Sequence, residues 1–416
     1  MAYMGCLMPQ YLNQHQRSGM IACRAPRKRK LEPMPPSYLN ETEPWPEVRQ
    51  ASRRTVLLMV YDCVPGEDPR RCSGWMRVLQ AAQEYDVHAI VGPESLAAIE
   101  RYKQDHPIPS GVSFHAPPQG MIARSLTRIA GPGDKSPAVY RYWQRQAYRV
   151  ATELHRKHSF ALVHHVSLDT FHEPGYAWRL GIPFVWGPGG GSELIPVPFL
   201  TGLPLLTQIA ERTREMRNRL GLRGRRVRKA ARYASALLAA NTTAQRDFER
   251  FFRRPVELLP QTGIESVVRA ETARFRASGP LNLLWCGDFD HWNALPLLLE
   301  AVANLGHDVD YQLHVAGAGA MEEEWKSLAV ELGVRRRCTF LGDLPESGLA
   351  AQLDWAHLFV FTSLRDTAAA PVLDALGRGV PVMCLDHHCA GDMVTPSCGI
   401  KIPPTHPGHA IAAMAS

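Results

Sequence analysis

From Val56 onward the chain alternates short, uniformly apolar runs with longer stretches in which apolar positions recur every three to four residues, the pattern of strands feeding helices. A first series has strand-like runs at 56–61, 87–91, 161–166, 183–186, 236–240 and 256–259, with helical periodicity clearest at 75–85 and 138–157. A second series opens with LNLLWC (281–286) and continues through YQLHVA (311–316), CTFL (338–341), LFVF (358–361), VPVMCL (380–385) and GIKI (399–402). Helical stretches near 294–304, 320–332, 346–355 and 370–378 separate these runs. Strands this short and apolar on both faces belong in parallel sheets covered by helices on each side. The pattern predicts an α/β protein of two Rossmann-like, doubly wound domains, 55–262 and 281–416, joined by a polar linker at 263–280. Two such domains would face each other across a cleft at the carboxyl ends of their sheets, where folds of this kind bind ligands. Residues 1–54 carry no sustained period and hold six prolines between Pro26 and Pro46, so they read as a disordered extension.

Composition narrows the class without changing this picture. A length of 416 residues suits two large domains. Apolar residues at 45%, charged residues at 21%, and 32 Gly with 33 Pro exclude collagen, coiled coil and wholesale disorder. No apolar run reaches the roughly 18 residues of a membrane span. The first residues, interrupted by Pro9, Asn13 and three Gln, do not read as a secretion signal, so the sequence points to the cytoplasm. Nine cysteines without a CxxC pair argue for free thiols in a reducing compartment. Cys384, Cys389 and Cys398, with His387 and His388 between, invite a metal reading, but their spacing is looser than zinc ligand pairs, and no metal is expected.

The formal charge of +7 is concentrated rather than spread. Between Glu211 and Arg232 ten basic residues stand against two acidic ones, with Met216, Leu220, Leu222, Val227 and Ala231 on a roughly helical period. This segment reads either as a solvated surface helix or as a peripheral contact with anionic lipid on the cytoplasmic membrane face. It has no aromatic interleaving, so nucleic acid is not an expected partner.

The chemistry-bearing motifs are mostly negative. No complete GxGxxG follows the first strand, and Gly317-Ala318-Gly319 is followed by Glu322 where a third glycine would serve close packing. P-loop, HExxH and GxSxG patterns are missing too, so no cofactor is expected. What remains is a pair of aspartates, Asp366 and Asp374, eight residues apart in LFVFTSLRDTAAAPVLDALGRGVPVMCL. A helix beginning near Ala370 would turn free N–H groups and its positive dipole end toward the loop, a ready place for a diphosphate. Asp366 could then accept hydrogen bonds from a sugar and Asp374 from a ribose, although simple capping would also explain the pair.

These residues carry a resemblance. The stretch from Val56 to Pro403 resembles bacterial glycosyltransferases of family 4, with the two-domain GT-B fold, and particularly members that build exopolysaccharides and other surface glycans. The similar blocks include HHVSLDTFHEPGYAWRLGIPFVWGPGGGSE (164–193), LLPQTGIE (258–265), WCGDFDHWNALPLLLEAV (285–302), LHVAGAGAMEEEW (313–325), FLGDLP (340–345), SLRDTAAAPVLDALGRGVPV and CLDHHCAGDMVTPSCGIKIP (384–403). The resemblance implies a nucleotide-sugar donor, UDP- or GDP-linked, held by the C-terminal domain, and a glycan or lipid-linked acceptor met by the N-terminal one. It implies metal-independent hexosyl transfer with retention of configuration. It places Asp366 at the donor sugar and Asp374 at the ribose, with Gly287, Asn293, Gly317, Ala369 and Ala370 around the donor. It places His165, or alternatively His164, near the reacting sugar, and Gly66, Arg70, Gly189 and Gly190 in loops on the acceptor side. A packed histidine and a plain strand-exit turn are the competing readings of His165 and of the 187–191 glycines.

The departures from the family pattern carry equal weight. Two positions that usually hold cations for the diphosphate are Asp288 and Asn293. The loop after the first strand, of the form PGxGSExGxGW in the family, keeps Pro65, Gly66, Gly74 and Trp75 but carries Asp68, Pro69, Arg70 and Cys72 inside it. Arg70 or Arg71 would then supply the missing charge from the opposite domain. The chain also stops soon after the 399–402 run, so the usual final helices are not expected. These departures favour a second hypothesis, a catalytically degenerate relative that binds nucleotide-sugar or glycan as a regulatory or scaffold subunit.

Overall fold

The structure, a computed structural model, describes residues 53–66, 69–118, 137–168, 170–264, 279–306 and 309–416. Nearly all of the predicted extension and the middle of the predicted linker lie outside the described residues. Two parallel sheets organise the rest. The first contains β1 (Thr55–Val60), β2 (Asp86–Val91), β3 (Val112–His115), β4 (Val163–Val166), β5 (Phe184–Gly189), β6 (Ala236–Ala239) and β7 (Glu257–Leu258) in the order β3-β2-β1-β4-β5-β6-β7. The second contains β8 (Leu281–Cys286), β9 (Tyr311–Ala316), β10 (Cys338–Gly342), β11 (Leu358–Phe361), β12 (Val382–Leu385) and β13 (Gly399–Ile402) in the order β10-β9-β8-β11-β12-β13.

Side-chain alternation explains why these runs are apolar throughout. In β1, Leu57 and Met59 enter one core while Val56, Leu58 and Val60 enter the other, the two-residue period of a strand buried on both faces. In the second sheet Leu283 and Trp285 of β8 face one core and Leu284 the other. Each fully buried side chain of this size contributes about 1.5–3 kcal/mol of transfer free energy. The β1–β4 register pairs Leu57 with Val163, and the β8–β11 register pairs Leu283 with Leu358. Strand order reverses at these two pairs, so a crevice opens beyond the carboxyl ends of β1 and β4 in one domain and of β8 and β11 in the other.

The structure departs from the sequence expectation in four places. Strand β3 (VSFH) was not expected, because it is a short edge strand whose residues are only half-buried or exposed. Helix Pro93–Asp105 was also missed; only Ser95 and Ile99 on it are buried, which is too few to show a period. The basic segment forms two helices, Leu205–Leu222 and Arg225–Tyr233, interrupted at Arg223 and Gly224, where glycine weakens a helix by about 1 kcal/mol. Finally, β13 is followed by helix Pro407–Ala415, which starts with the His406 ring accepting from the Gly408 N–H at 3.1 Å. Its Ala410, Ile411 and Met414 join Ile195 and Phe199 of the first domain and Leu297 and Leu364 of the second in one apolar cluster. One nine-residue helix thus follows the last strand, and its sequence, PGHAIAAMA, is too short and too alanine-rich to show a period.

Candidate functional site

The second crevice is built by three loops that close on one another. After β8, residues 287–294 turn through a short 3-10 helix, His291–Asn293, with Ala294 left-handed at φ 45°. The loop is fastened to the one after β11. Leu364 N–H donates to Trp292 O at 2.6 Å, and Thr362 Oγ1 donates to Asn293 O at 2.6 Å while accepting the Trp285 indole N–H at 2.8 Å. The loop after β9 presses in from the other side. A Cβ on Gly317, at φ 133°, would lie 1.9 Å from Gly287 O. Gly317 is therefore required by loop-on-loop packing, which accounts for the incomplete dinucleotide fingerprint at 317–319.

Both aspartates stand at this crevice in different roles. Asp366 Oδ1 accepts the N–H of Ala368 at 2.8 Å and the N–H of Ala369, which holds the left-handed conformation at φ 45° just before helix Ala370–Gly377. The approach to this helix thus already holds a carboxylate. Asp374, one turn into the helix, is half-buried, and burial pushes its carboxyl up to about 6 against the lowering effect of Arg378. Asn293 directs its side-chain amide to Asp288 O at 2.8 Å, so it braces the loop. Ala369 precedes this helix and Ala370 opens it.

His165 and His164 are fully buried in β4. A Cβ on Gly175 would meet the His165 ring at 3.0 Å, and His164 Nε2 lies 2.8 Å from Gly187 O. Burial lowers both rings to about 4 and keeps them neutral. The His165 ring lies against Gly175, and its Nε2 is 3.4 Å from the Tyr140 hydroxyl, the surroundings of a packed histidine. Gly66 is exposed at φ 127°, and Arg70 stands in the first turn of helix Pro69–Ala82 beyond β1. Gly189 ends β5 as its last residue. Gly190 approaches the other domain, not an open site: a Cβ there would lie 2.1 Å from Thr367 Cγ2.

That contact opens onto residues the sequence reading missed. Glu193, fully buried, accepts from Gly191 N–H at 2.7 Å, from Asn241 Nδ2 at 2.6 Å and, across the cleft, from Thr367 Oγ1 at 2.9 Å. Asn241 also donates to Thr367 O at 3.2 Å while its Oδ1 caps helix Thr242–Phe252. Farther along, Asp392 accepts from Thr242 N–H and Oγ1, both at 2.7 Å, an anion at a helix N-terminus. His388 lies 3.1 Å from Leu194 O through Nε2 and 3.1 Å from Thr243 Oγ1 through Nδ1. A carbonyl only accepts, so Nε2 carries the proton and Nδ1 accepts from the hydroxyl. The fourth bridge is ionic. Arg365 Nη1 lies 2.6 and 2.5 Å from the two carboxylate oxygens of Glu211, His291 Nε2 lies 3.2 Å from Glu211 Oε1, and the Arg365 guanidinium stacks 4.5 Å from the Trp292 ring centre. Burial alone would raise the Glu211 carboxyl, but hydrogen bonds from His291 and Arg365 outweigh it and hold it at about 2. The sequence did hold faint signals for two of these: Glu211 is one of two acids in a basic run, and Arg365 adjoins Asp366.

Cys384, Cys389 and Cys398 are free thiols, the first two buried. Among the described residues no three His, Cys, Asp or Glu side chains come together as a metal-ligand set.

Residues 280–416 match the family model described as glycosyl transferases group 1. No curated protein matches the chain. Among solved structures, the chain is similar to the apo form of the lipopolysaccharide outer core galactosyltransferase WaaB, with 11% identity and a TM-score of 0.57 over 87% of this chain and 91% of that one. It is similar also to sucrose-phosphate synthase from Thermosynechococcus elongatus, with 15% identity and a TM-score of 0.53 over 87% and 89% of the two chains. A third likeness is to Anabaena Alr3699/HepE in complex with UDP, with 14% identity and a TM-score of 0.53 over 86% and 88%. At these identities the likeness is one of fold, and the fold is GT-B.

Proposed function

We propose that this protein is a glycosyltransferase that moves a hexose from a UDP- or GDP-sugar to a glycan or lipid-linked acceptor, with the donor seated in the crevice of the second domain. The observation that carries the reading is a coincidence of place: the family match at 280–416 covers the domain whose loops 287–294, 317–319 and 362–370 build that crevice. The similar Anabaena protein is complexed with UDP, which makes a uridine nucleotide the first candidate. In a retaining transfer the bond from the anomeric carbon to the phosphate oxygen breaks, and the acceptor hydroxyl oxygen bonds to that carbon on the same face. The hydroxyl proton passes to the leaving phosphate. Charge developing on that phosphate is what fixed cations and backbone N–H groups at the crevice would offset, without a metal ion.

Exposed apolar side chains support a membrane-surface acceptor. On helix Leu205–Leu222, Leu205, Ile209, Met216 and Leu220 are exposed at spacings that put them on one face, with Leu206 beside them at 81% exposure. Arg212 and Arg219 belong to the same exposed side. An outward apolar stripe flanked by arginines suits the headgroup region of an anionic bilayer at the cytoplasmic face.

Calorimetric titration of UDP, GDP and their glucose, galactose and mannose conjugates into the protein and into Asp374→Ala tests the donor site. One nucleotide class should bind, with affinity lowered about tenfold or more in the variant by loss of a charge-assisted hydrogen bond. Equal binding to both proteins would remove Asp374 from the site. The degenerate reading is favoured by one observation, that Asp366 Oδ1 is engaged by two backbone amides while positions 288 and 293 lack cations. Binding without turnover over a panel of acceptors would select it.

A further inference from the structure

The chain lacks basic residues at 288 and 293, yet the crevice does hold positive groups. Arg365 comes from the loop after β11 and His291 from the loop after β8, the two strands at which the second sheet reverses its order. Both converge on one carboxylate, Glu211, which enters from the first domain on helix Leu205–Leu222. Glu211 sits on the inward stripe of that helix with Asn218 and Leu222, opposite its exposed apolar face. The side chains of Glu211 and Arg365 are 8% and 11% exposed, so the pair is almost dry. Arg214, one turn on, lies close enough to both for their charges to act on it, and its Nε is buried without a hydrogen-bond partner among the described residues. Glu211 thus contacts a guanidinium and an imidazole directly, with the Arg214 guanidinium, which also feels the charge of Glu193, beside them, at the place where a doubly wound domain receives an anionic ligand.

We propose that Glu211 is a resident anion: in the ligand-free protein its carboxylate holds the position of a donor phosphate, and the incoming diphosphate displaces it from Arg365 and His291. The inference rests on the donor reading above and adds to it a competitor built into the chain. A diphosphate brings more negative charge and more acceptor oxygens than a carboxylate, so it satisfies Arg365, His291 and the unpaired edge of Arg214 together. Glu211, released, moves toward solvent, which frees the first domain from one of its bridges to the second. Affinity for the donor is lowered by the work of breaking the internal pair, and the ligand-free protein is held closed by that same pair.

The two roles predict opposite signs in one variant. Glu211→Gln should melt at a lower temperature than the wild type without ligand, because Arg365 is left buried without a counter-charge, and should bind UDP about tenfold tighter. Arg365→Gln should lose UDP binding. In the wild type, which needs no variant to fold, saturation with UDP should shift the His291 ring resonances as a phosphate replaces the carboxylate. Binding of UDP by the wild type that is as strong as or stronger than binding by Glu211→Gln, or His291 resonances unmoved at saturation, would overturn the proposal and leave the donor reading standing. Failure of UDP and GDP to bind the wild type and Glu211→Gln alike would overturn the donor reading, and this inference with it.

Discussion

Two carboxylates in the cleft respond to their surroundings in opposite directions, and each makes stability depend on pH with its own sign. Burial raises Asp374 to about 6, so the folded protein holds its proton more tightly than the unfolded chain does, and this contribution is lost as pH rises from about 4 through 6. Glu211 is held at about 2, so its contribution is present above the usual carboxylate range and lost as pH falls toward 2. Asp374→Asn removes the first dependence. Its melting temperature should rise relative to the wild type as pH goes from 4 to 6, levelling off by pH 7 at roughly 2–4 °C above it. Melting curves across that range check this, and a difference that stays constant with pH would mean that Asp374 is not buried as described. Asp366 shows the same lesson without titration: its position beside a helix was legible in the sequence, but its engagement with the amides of Ala368 and Ala369 depends on the left-handed turn at Ala369.

At the scale of the element, helix Leu205–Leu222 divides its labour by face. Its buried positions, Glu211, Asn218 and Leu222, recur at helical spacing toward the protein, while Leu205, Ile209, Met216 and Leu220 recur toward solvent. The sequence reading found the basic run and its helical period but could not separate the two faces, because both carry apolar residues among arginines. If the outer face meets lipid, the protein should be retained on vesicles containing anionic phosphatidylserine and not on neutral phosphatidylcholine. The double substitution Ile209→Asp, Leu220→Asp should weaken that retention at least about tenfold, with melting temperature unchanged because both positions are exposed. Retention that survives the substitution would assign the basic charge alone to the contact, and no retention by the wild type would leave the face solvated.

At the scale of the molecule, the two domains are held by a row of polar bridges and one apolar cluster. Glu193 with Thr367, Thr242 with Asp392, His388 with Thr243 and Leu194, and Glu211 with Arg365 cross the cleft, and the cluster around Phe199, Leu297, Leu364 and Ile411 sits among them. Gly190 sets how closely the domains approach, since a Cβ there would lie 2.1 Å from the Thr367 methyl. Gly190→Ala should displace Thr367, break its hydrogen bond to Glu193 at a cost of about 1.5–3 kcal/mol, and enlarge the radius of gyration measured by small-angle scattering. Adding Thr367→Ser removes the methyl, keeps the hydroxyl, and should restore the compact form. A double variant no more compact than the single one would show that this contact does not govern closure.

The chain's own pattern determined the doubly wound architecture, the division into two domains and the bounds of most strands, because strands buried on both faces must be apolar at every position and a parallel arrangement follows from the helices between them. It also placed the loop holding Asp366 and the helix holding Asp374, since both lie within one βα unit where spacing along the chain is spacing in the fold. The tertiary structure alone decided the rest. The surroundings of His165 come from Gly175 and Tyr140, which arrive from other elements. The pairing of Glu211 with Arg365 joins residues far apart in sequence and in different domains, so the sequence marks each as unusual in its own segment but not that the two meet. An interdomain site is a property of how two separately folded surfaces meet, and that meeting is governed by shape and charge complementarity rather than by any pattern within either one.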